Sequence, residues 1–463
     1  MALPDKNWGS FISFLWSSLE MPENTRESVI SAIRERGVHF INLQFSDIMG
    51  MVKSVTIPVS QLDSLLANGV WFDGSSVEGF VRVSESDMLL IPDLATFAIL
   101  PWGAETHRTA RLICDVYTTE GEPFIGSPRA ALARVMQEAA ELGYEYRVGP
   151  ELEFFLFATD ESGNPLPDVT HDEAGYFDAT ADRGTLVRND MIMALEAFGI
   201  EVEAGHHEVA AGQHEIDFRY GNALRTADNA VTLKHVFKAI AQQHGLYATF
   251  MPKPIKGING SGMHTHQSLA SSATGENAFA DSANPYGLSG LARQFLAGQL
   301  THAKGMSAVL APLVNSYKRL VPGYEAPVYI SWARINRSAL VRVPKPSLPE
   351  ATRLELRCPD PSCNPYLAFA VMLQCGLDGI KRGLPLPEPT EENLFEAEWA
   401  RRGLETLPSS LKEALQELEK DTVVQEALGP HIYERFMEAK TQEWDSYRLE
   451  ITDWERERYL YMF

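Results

Sequence analysis

At 463 residues the chain exceeds the usual single-domain size and can bury a large core, which points to two domains. Hydrophobic residues make up 45% and charged residues 22%, an ordinary globular balance, while the formal net charge of −22 argues against a sequence-independent nucleic-acid binder, which needs basic patches. A nucleotide substrate stays compatible, because local arginines and metal ions can hold a triphosphate inside an acidic protein.

No apolar run is long enough to span a bilayer, and Asp5 and Glu20 flank the short run at 11–15 where a secretory signal would be basic. Four cysteines (Cys114, Cys358, Cys363, Cys375) do not make a disulfide framework, and no Cys-His spacing suggests zinc. The expected setting is a reducing cytoplasm.

Residues 1–22 read as an N-terminal extension. A helix pattern at 26–36 ends at Gly37, and strand-like runs follow at 38–45, 53–58 and 111–117. Between them lies the loop Trp71-Phe72-Asp73-Gly74-Ser75-Ser76. The segment 23–122 is expected to be a small α+β domain, with 121–128 as a turn-rich link to a larger domain over 128–463.

A helix is expected at 128–142, with Ser127 as N-cap, Pro128 at the first helical position and Gly143 after the last turn. A strand begins at 148–157 with Glu151 and Glu153 two apart, hence on one face. Charge on an otherwise apolar strand is expensive unless paired or metal-bound. Residues 160–183 read as a surface loop, followed by a helix at 186–198.

The stretch 201–218 reads as a polar hairpin, with Ala210-Ala211-Gly212 as its turn and Glu208 and Glu215 on either side. Folding that turn back brings the two carboxylates together, which is costly without a cation or a shared proton between them. After a helix at 227–243, the run 257–268 carries glycines that admit close backbone approach, then His264 and His266 on one strand face. Residues 315–327 read as a loop. In 353–357 Arg353, Glu355 and Arg357 alternate onto one face, a pattern suited to carboxylates or phosphates. From 367 onward the chain is mainly helical, with an aromatic tail at 454–463.

Glu151, Glu153, Glu208, Glu215, His264 and Glu355 form an oxygen-dominated ligand set. That set suits Mg²⁺ or Mn²⁺, and it is too large for one ion that must also keep waters. Two ions and several arginines are the parts of a phosphoryl-transfer site, so the residues point to an ATP-using enzyme acting on an anionic substrate. A metal-dependent hydrolase also fits the residues alone.

The runs Phe72-Asp73-Gly74-Ser75-Ser76, Pro150-Glu151-Leu152-Glu153-Phe154-Phe155, His206-His207-Glu208-Val209, Gly212-Gln213-His214-Glu215 and Asn259-Gly260-Ser261-Gly262-Met263-His264-Thr265-His266 resemble type I glutamine synthetase of bacteria and archaea. So do Asn315-Ser316-Tyr317-Lys318-Arg319-Leu320-Val321-Pro322-Gly323-Tyr324-Glu325 and Arg353-Leu354-Glu355-Leu356-Arg357-Cys358-Pro359-Asp360. The resemblance runs from about residue 22 to the C-terminus in the family's order. It implies an α+β fold: a small β-grasp-like domain, then a large catalytic domain whose antiparallel sheet is flanked by helices. The implied reaction joins ammonia to L-glutamate at the expense of ATP, through γ-glutamyl phosphate. A γ-glutamyl-amine or polyamine ligase of the same fold, or a catalytically silent relative, are the alternatives.

Carried over by residue, the resemblance implies one metal on Glu153, Glu208 and Glu215 and a second on Glu151, His264 and Glu355, each Mg²⁺ or Mn²⁺. Arg319 would pair with the glutamate carboxylate near Asn259 and Gly260. Arg337 and Arg357 would neutralise the transferring phosphoryl group, and Glu203, His266, Ser268, Arg342 and Arg353 would serve ATP. Glu325 would lie on a flap that excludes water and would help take a proton, while Asp73 would bind and deprotonate ammonium across a subunit interface. The family forms two stacked six-subunit rings. Asn393-Leu394-Phe395 stands where some members carry an adenylylated tyrosine, so that control is out of reach here. Arg82 matches the arginine of feedback inhibition in the alpha subgroup.

Overall fold

Alternating apolar residues build two sheets. The computed structural model describes residues 25–75, 77, 79, 87–322, 326–336, 338–392 and 403–463. The smaller sheet contains β1 (Phe40–Ser46), β2 (Val52–Pro58), β3 (Val70–Asp73), β4 (Asp87–Ile99) and β5 (Thr109–Tyr117), in the order β2-β1-β5-β4-β3. All its pairings are antiparallel except β1 with β5. Ile41, Leu43, Leu90 and Leu112 fill its core, against Val29 and Ile33 of the helix Arg26–Glu35. Thr25 caps that helix by accepting the Ser28 N–H at 3.2 Å.

The sequence did not mark β4 or the helix Leu62–Asn68. In β4 half-buried Pro92, Asp93 and Ala95 interrupt the alternation where its register against β5 shifts.

The larger sheet is organised on β6 (Tyr144–Thr159). Its remaining strands are β7 (Pro165–Thr170), β8 (Val202–His207), β9 (Gln213–Phe218), β10 (Gly221–Asn222), β11 (Leu246–Thr249), β12 (Met263–Ser271), β13 (Tyr329–Ala333), β14 (Ala339–Arg342) and β15 (Leu354–Leu356). The main path is β13-β14-β15-β12-β6-β9-β8, and β7, β10 and β11 also pair with β6. Only β13 with β14 is parallel, so the expected antiparallel sheet holds elsewhere. The expected surface loop at 160–183 contains β7, and the expected loop at 315–327 contains a packed turn, Ser316–Arg319, with Ser316, Tyr317 and Arg319 buried.

Helices Pro128–Glu141, Ala223–Gln243, Gly290–Thr301 and Pro365–Arg382 contribute to one continuous core with this sheet. Ser127 caps the first of them as expected, accepting from the Ala130 N–H. Charge joins the two parts. Arg129 donates to Asp93 and Asp115 at 2.6 Å each and to Asp228 at 3.0 Å, and Tyr366 donates to Asp228 at 2.7 Å. Asn364 Nδ2 donates to the Asp47 carbonyl at 3.0 Å. The four cysteines are free and buried. Among the described residues no helix is long and apolar enough to cross a membrane.

Candidate active site

Strand pairing assembles the acidic residues. On β6, Glu151 lies opposite His264 of β12, and Glu153 lies opposite Glu215 of β9. His206 of β8 faces Glu215 from the other side, and Glu355 of β15 lies opposite both His266 and Arg342. Residues far apart in the chain thus become cross-strand neighbours.

Two groups result. Glu151, His264 and Glu355 each offer a ligand atom within 4.8 Å of the others, as do His206, Glu208 and Glu215. The first is the set the sequence suggested. The second contains Glu208 and Glu215 but brings in His206, which the sequence reading passed over although it precedes Glu208 in the same motif. Glu153 stands beside this second group, its carboxylate accepting from Gln213 Nε2 at 2.7 Å and the Gly262 N–H at 3.0 Å.

The electrostatics suit a cation. Burial, then the charge of Glu208, pushes the Glu153 carboxyl up to about 8. Burial and the charges of Asp217 and Glu153 push Glu215 well above its ordinary value, and burial raises Asp217 to about 6. Carboxylates packed until they resist ionising are what a divalent ion relieves, so the residues fit the implied metal. In the other group burial opposes the charge of Glu151, yet hydrogen bonds from His264 and His266 hold that carboxyl well below its usual range. Burial, then the Arg357 charge, lowers His264 to about 4, leaving the neutral imidazole a ligand needs.

Arginines surround the first group. Glu355, fully buried, accepts from Arg357 at 2.5 Å and from Arg342 Nε. Arg353 Nε donates to His266 Nδ1 at 3.2 Å, and His266 Nε2 meets Glu151 at 2.7 Å. Arg319 is buried, donating to the carbonyls of Cys358, Pro359 and Arg357.

A third group went unnoticed in the sequence: Asp172, His207 and His214, all buried and also within 4.8 Å. Asp172 hides in a turn-rich segment that gives no periodic signal. Tyr176 and Phe177 went unnoticed too. Both rings pack edge-on to His206, with centroids at 5.7 and 5.0 Å.

The fold and this arrangement have known counterparts. A family profile described as glutamine synthetase, catalytic domain, matches residues 125–459, and one described as glutamine synthetase, beta-Grasp domain, matches 37–119. Proteins curated as glutamine synthetase from Clostridium saccharobutylicum and Methanosarcina mazei are 54% and 52% identical to the chain. Each alignment covers 95% of this chain, with 99% and 98% of those proteins. The chain belongs to the glutamine synthetase family.

A solved structure described as "Apo GmaS without ligand" superposes with a TM-score of 0.84 at 35% identity, over 93% of this chain and 98% of that one. As the motifs implied, the glutamine synthetase fold is present in both parts, and the activity is that of a glutamate–ammonia ligase driven by ATP. A divalent metal and ATP belong to that activity. Of the remaining site residues, Asp73 stands exposed at the end of edge strand β3 of the small sheet, its carboxylate accepting the Ser75 N–H at 2.8 Å. Glu203 is exposed on β8, while Ser268 on β12 and Asn259 and Gly260 just before it are half-buried. Gln213 Nε2 donates to the Gly260 carbonyl at 3.2 Å. Arg82, Glu325, Arg337 and Phe395 lie outside the described residues.

Proposed function

We propose that this ligation proceeds through γ-glutamyl phosphate at a site for two divalent ions, Mg²⁺ or Mn²⁺. What supports two ions is that the acidic residues gather in two separate acid–imidazole groups, with Glu151 of β6 in one and Glu153, two residues on, beside the other. Glu151, His264 and Glu355 would hold one ion; Glu208 and Glu215, with Glu153 beside them, the other. Bound there, the ions screen the polyphosphate and polarise the transferring phosphoryl oxygens.

The protein residues supply the rest. A carboxylate is a poor electrophile, so the glutamate side chain takes a phosphoryl group from ATP before nitrogen attacks. Arg357 and Arg337 stabilise the equatorial oxygens of that group, and Arg319 holds the substrate carboxylate near Asn259 and Gly260. Glu203, His266, Ser268, Arg342 and Arg353 hold ATP. Asp73 and Glu325 attract ammonium and take its proton, since ammonium has no lone pair for attack. The exposure of Asp73 on an edge strand agrees with its acting on a neighbouring subunit's site, in an assembly of two stacked hexameric rings. Arg82 mediates feedback by glutamine, and the enzyme works in the cytoplasm, where its unpaired thiols stay reduced.

The test is phosphate release from Mg-ATP and glutamate with ammonium, putrescine or ethanolamine as acceptor. Release with ammonium only, lost in Asp73→Ala, is expected. Release with an amine and not with ammonium would overturn the acceptor.

A further inference from the structure

The buried Asp172–His207–His214 group lies directly behind the Glu208–Glu215 hairpin. Three donors converge on Asp172: His207 Nε2 at 2.9 Å, the Gly212 N–H at 3.2 Å and the Arg183 N–H at 3.0 Å. Through the first it reaches strand β8, and through the second the hairpin turn. His207 Nδ1 in turn meets the Glu208 carbonyl oxygen at 2.7 Å. Both His207 nitrogens therefore face acceptors, which only the doubly protonated ring satisfies.

This group is not itself a cation site. Arg188 donates to His214 Nδ1 at 2.9 Å while its guanidinium also holds Asp182 at 3.0 and 2.5 Å. With Nδ1 accepting from Arg188, the ring carries its proton on Nε2, so neither nitrogen has a lone pair left to give a cation. His207 and His214 are cross-strand partners, so the hairpin is pinned immediately beside both of its carboxylates, Glu208 and Glu215.

We propose that Asp172 is a positioning residue for the Glu208–Glu215 cation site. It acts through the His207 ring on the Glu208 backbone and through the Gly212 N–H on the turn. The inference rests on the reading of Glu208 and Glu215 as ligands. A cation site on two arms of a hairpin needs both arms held in place, and the Asp172 contacts fix them before the ion arrives. Partners behind a ligand commonly set metal affinity by about 10- to 100-fold.

The experiment is calorimetric titration of the full-length, nucleotide-free protein with Mn²⁺, comparing wild type, Asp172→Asn, His207→Asn and Glu208→Gln. His207→Asn keeps an N–H in reach of the Glu208 carbonyl but cuts the link to Asp172, and it decides the matter should Asp172→Asn not fold. Glu208→Gln identifies the class of Mn²⁺ sites that depends on the hairpin. The expected result is about 10- to 100-fold weaker binding at that class in Asp172→Asn and His207→Asn, with the other class unchanged. Weakening by Glu208→Gln alone, with both others within about twofold of wild type, would overturn the positioning role. No weakening by Glu208→Gln would overturn the ligand reading instead. Equal loss at both classes would also reject the inference, because it marks a general structural defect.

Discussion

Arg129 offers a test of how the small sheet is held to the large one. The residue is 6% exposed, and its guanidinium spends all three nitrogens on carboxylates from three elements: Asp93 of β4, Asp115 of β5 and Asp228 of the helix Ala223–Gln243. In Arg129→Met the methionine fills similar apolar volume but leaves Asp228, 1% exposed, and its neighbours without their cation. Removing one partner of a buried pair costs about 3–5 kcal/mol. With unfolding entropy near 2.1 cal/mol/K per residue, that shifts Tm by roughly 3–5 °C for a chain of this size.

The pH dependence has a definite sign. Burial already raises the Asp115 carboxyl despite the Arg129 charge, so removing that charge raises it further. The variant's carboxylates then take up protons readily, and the deficit must shrink as pH falls from about 7.5 toward 5. Differential scanning calorimetry across that range measures both quantities. A Tm within about 1 °C of wild type at pH 7.5, or a deficit that grows on acidification, would refute the reasoning.

Three further outcomes are expected. In Glu355→Gln the fully buried acceptor of Arg342 and Arg357 loses its charge, which at about 3–5 kcal/mol predicts a fall in kcat/KM of more than 100-fold by steady-state assay. In Gly262→Ala the new methyl group would come 2.6 Å from Arg319 and 3.0 Å from the His264 ring. Crowding of this kind costs about 1–3 kcal/mol, which predicts a Tm lower by roughly 1–3 °C together with a higher KM for glutamate and weaker Mn²⁺ binding. His302 is clamped by Asp421 and Asp378; burial opposes its charge, but these partners raise its pKa. Its contribution to stability is therefore full below the unfolded value of about 6.5 and is lost as pH rises through the higher folded value. His302→Gln should flatten the decline of Tm above that pH, which thermal scans at stepped pH would show.

The acidic pattern was legible because strand periodicity is local: Glu151 and Glu153 share a face whatever pairs with them, and the turn at 210–212 returns Glu215 toward Glu208. What the sequence could not convey was register. Only the pairing of β8 with β9 shows that His206, not Glu153, completes the close group with Glu208 and Glu215. Asp172 was invisible for a related reason, since its partners are backbone N–H groups and a histidine far along the chain. In β4, polar and proline residues at a register shift broke the alternation that would have marked a strand. Helix ends fared better, because a cap such as Ser127 followed by Pro128 acts within a few residues.

Strand β6 also works as a ruler. Glu151 belongs to one acid–imidazole group and Glu153 stands beside the other on the same extended segment, so these two carboxylate residues are one covalent repeat apart, roughly 6.6–6.8 Å between the Cα atoms. Insertions in any surrounding loop leave that interval untouched. A slip of β6 by a single residue would instead turn Leu152 to that face, removing Glu151 from the first group and Glu153 from beside the second. The peripheral segments of this scaffold are therefore free to diverge in length, while the spacing of these two carboxylates is inherited from the dimensions of the peptide chain itself.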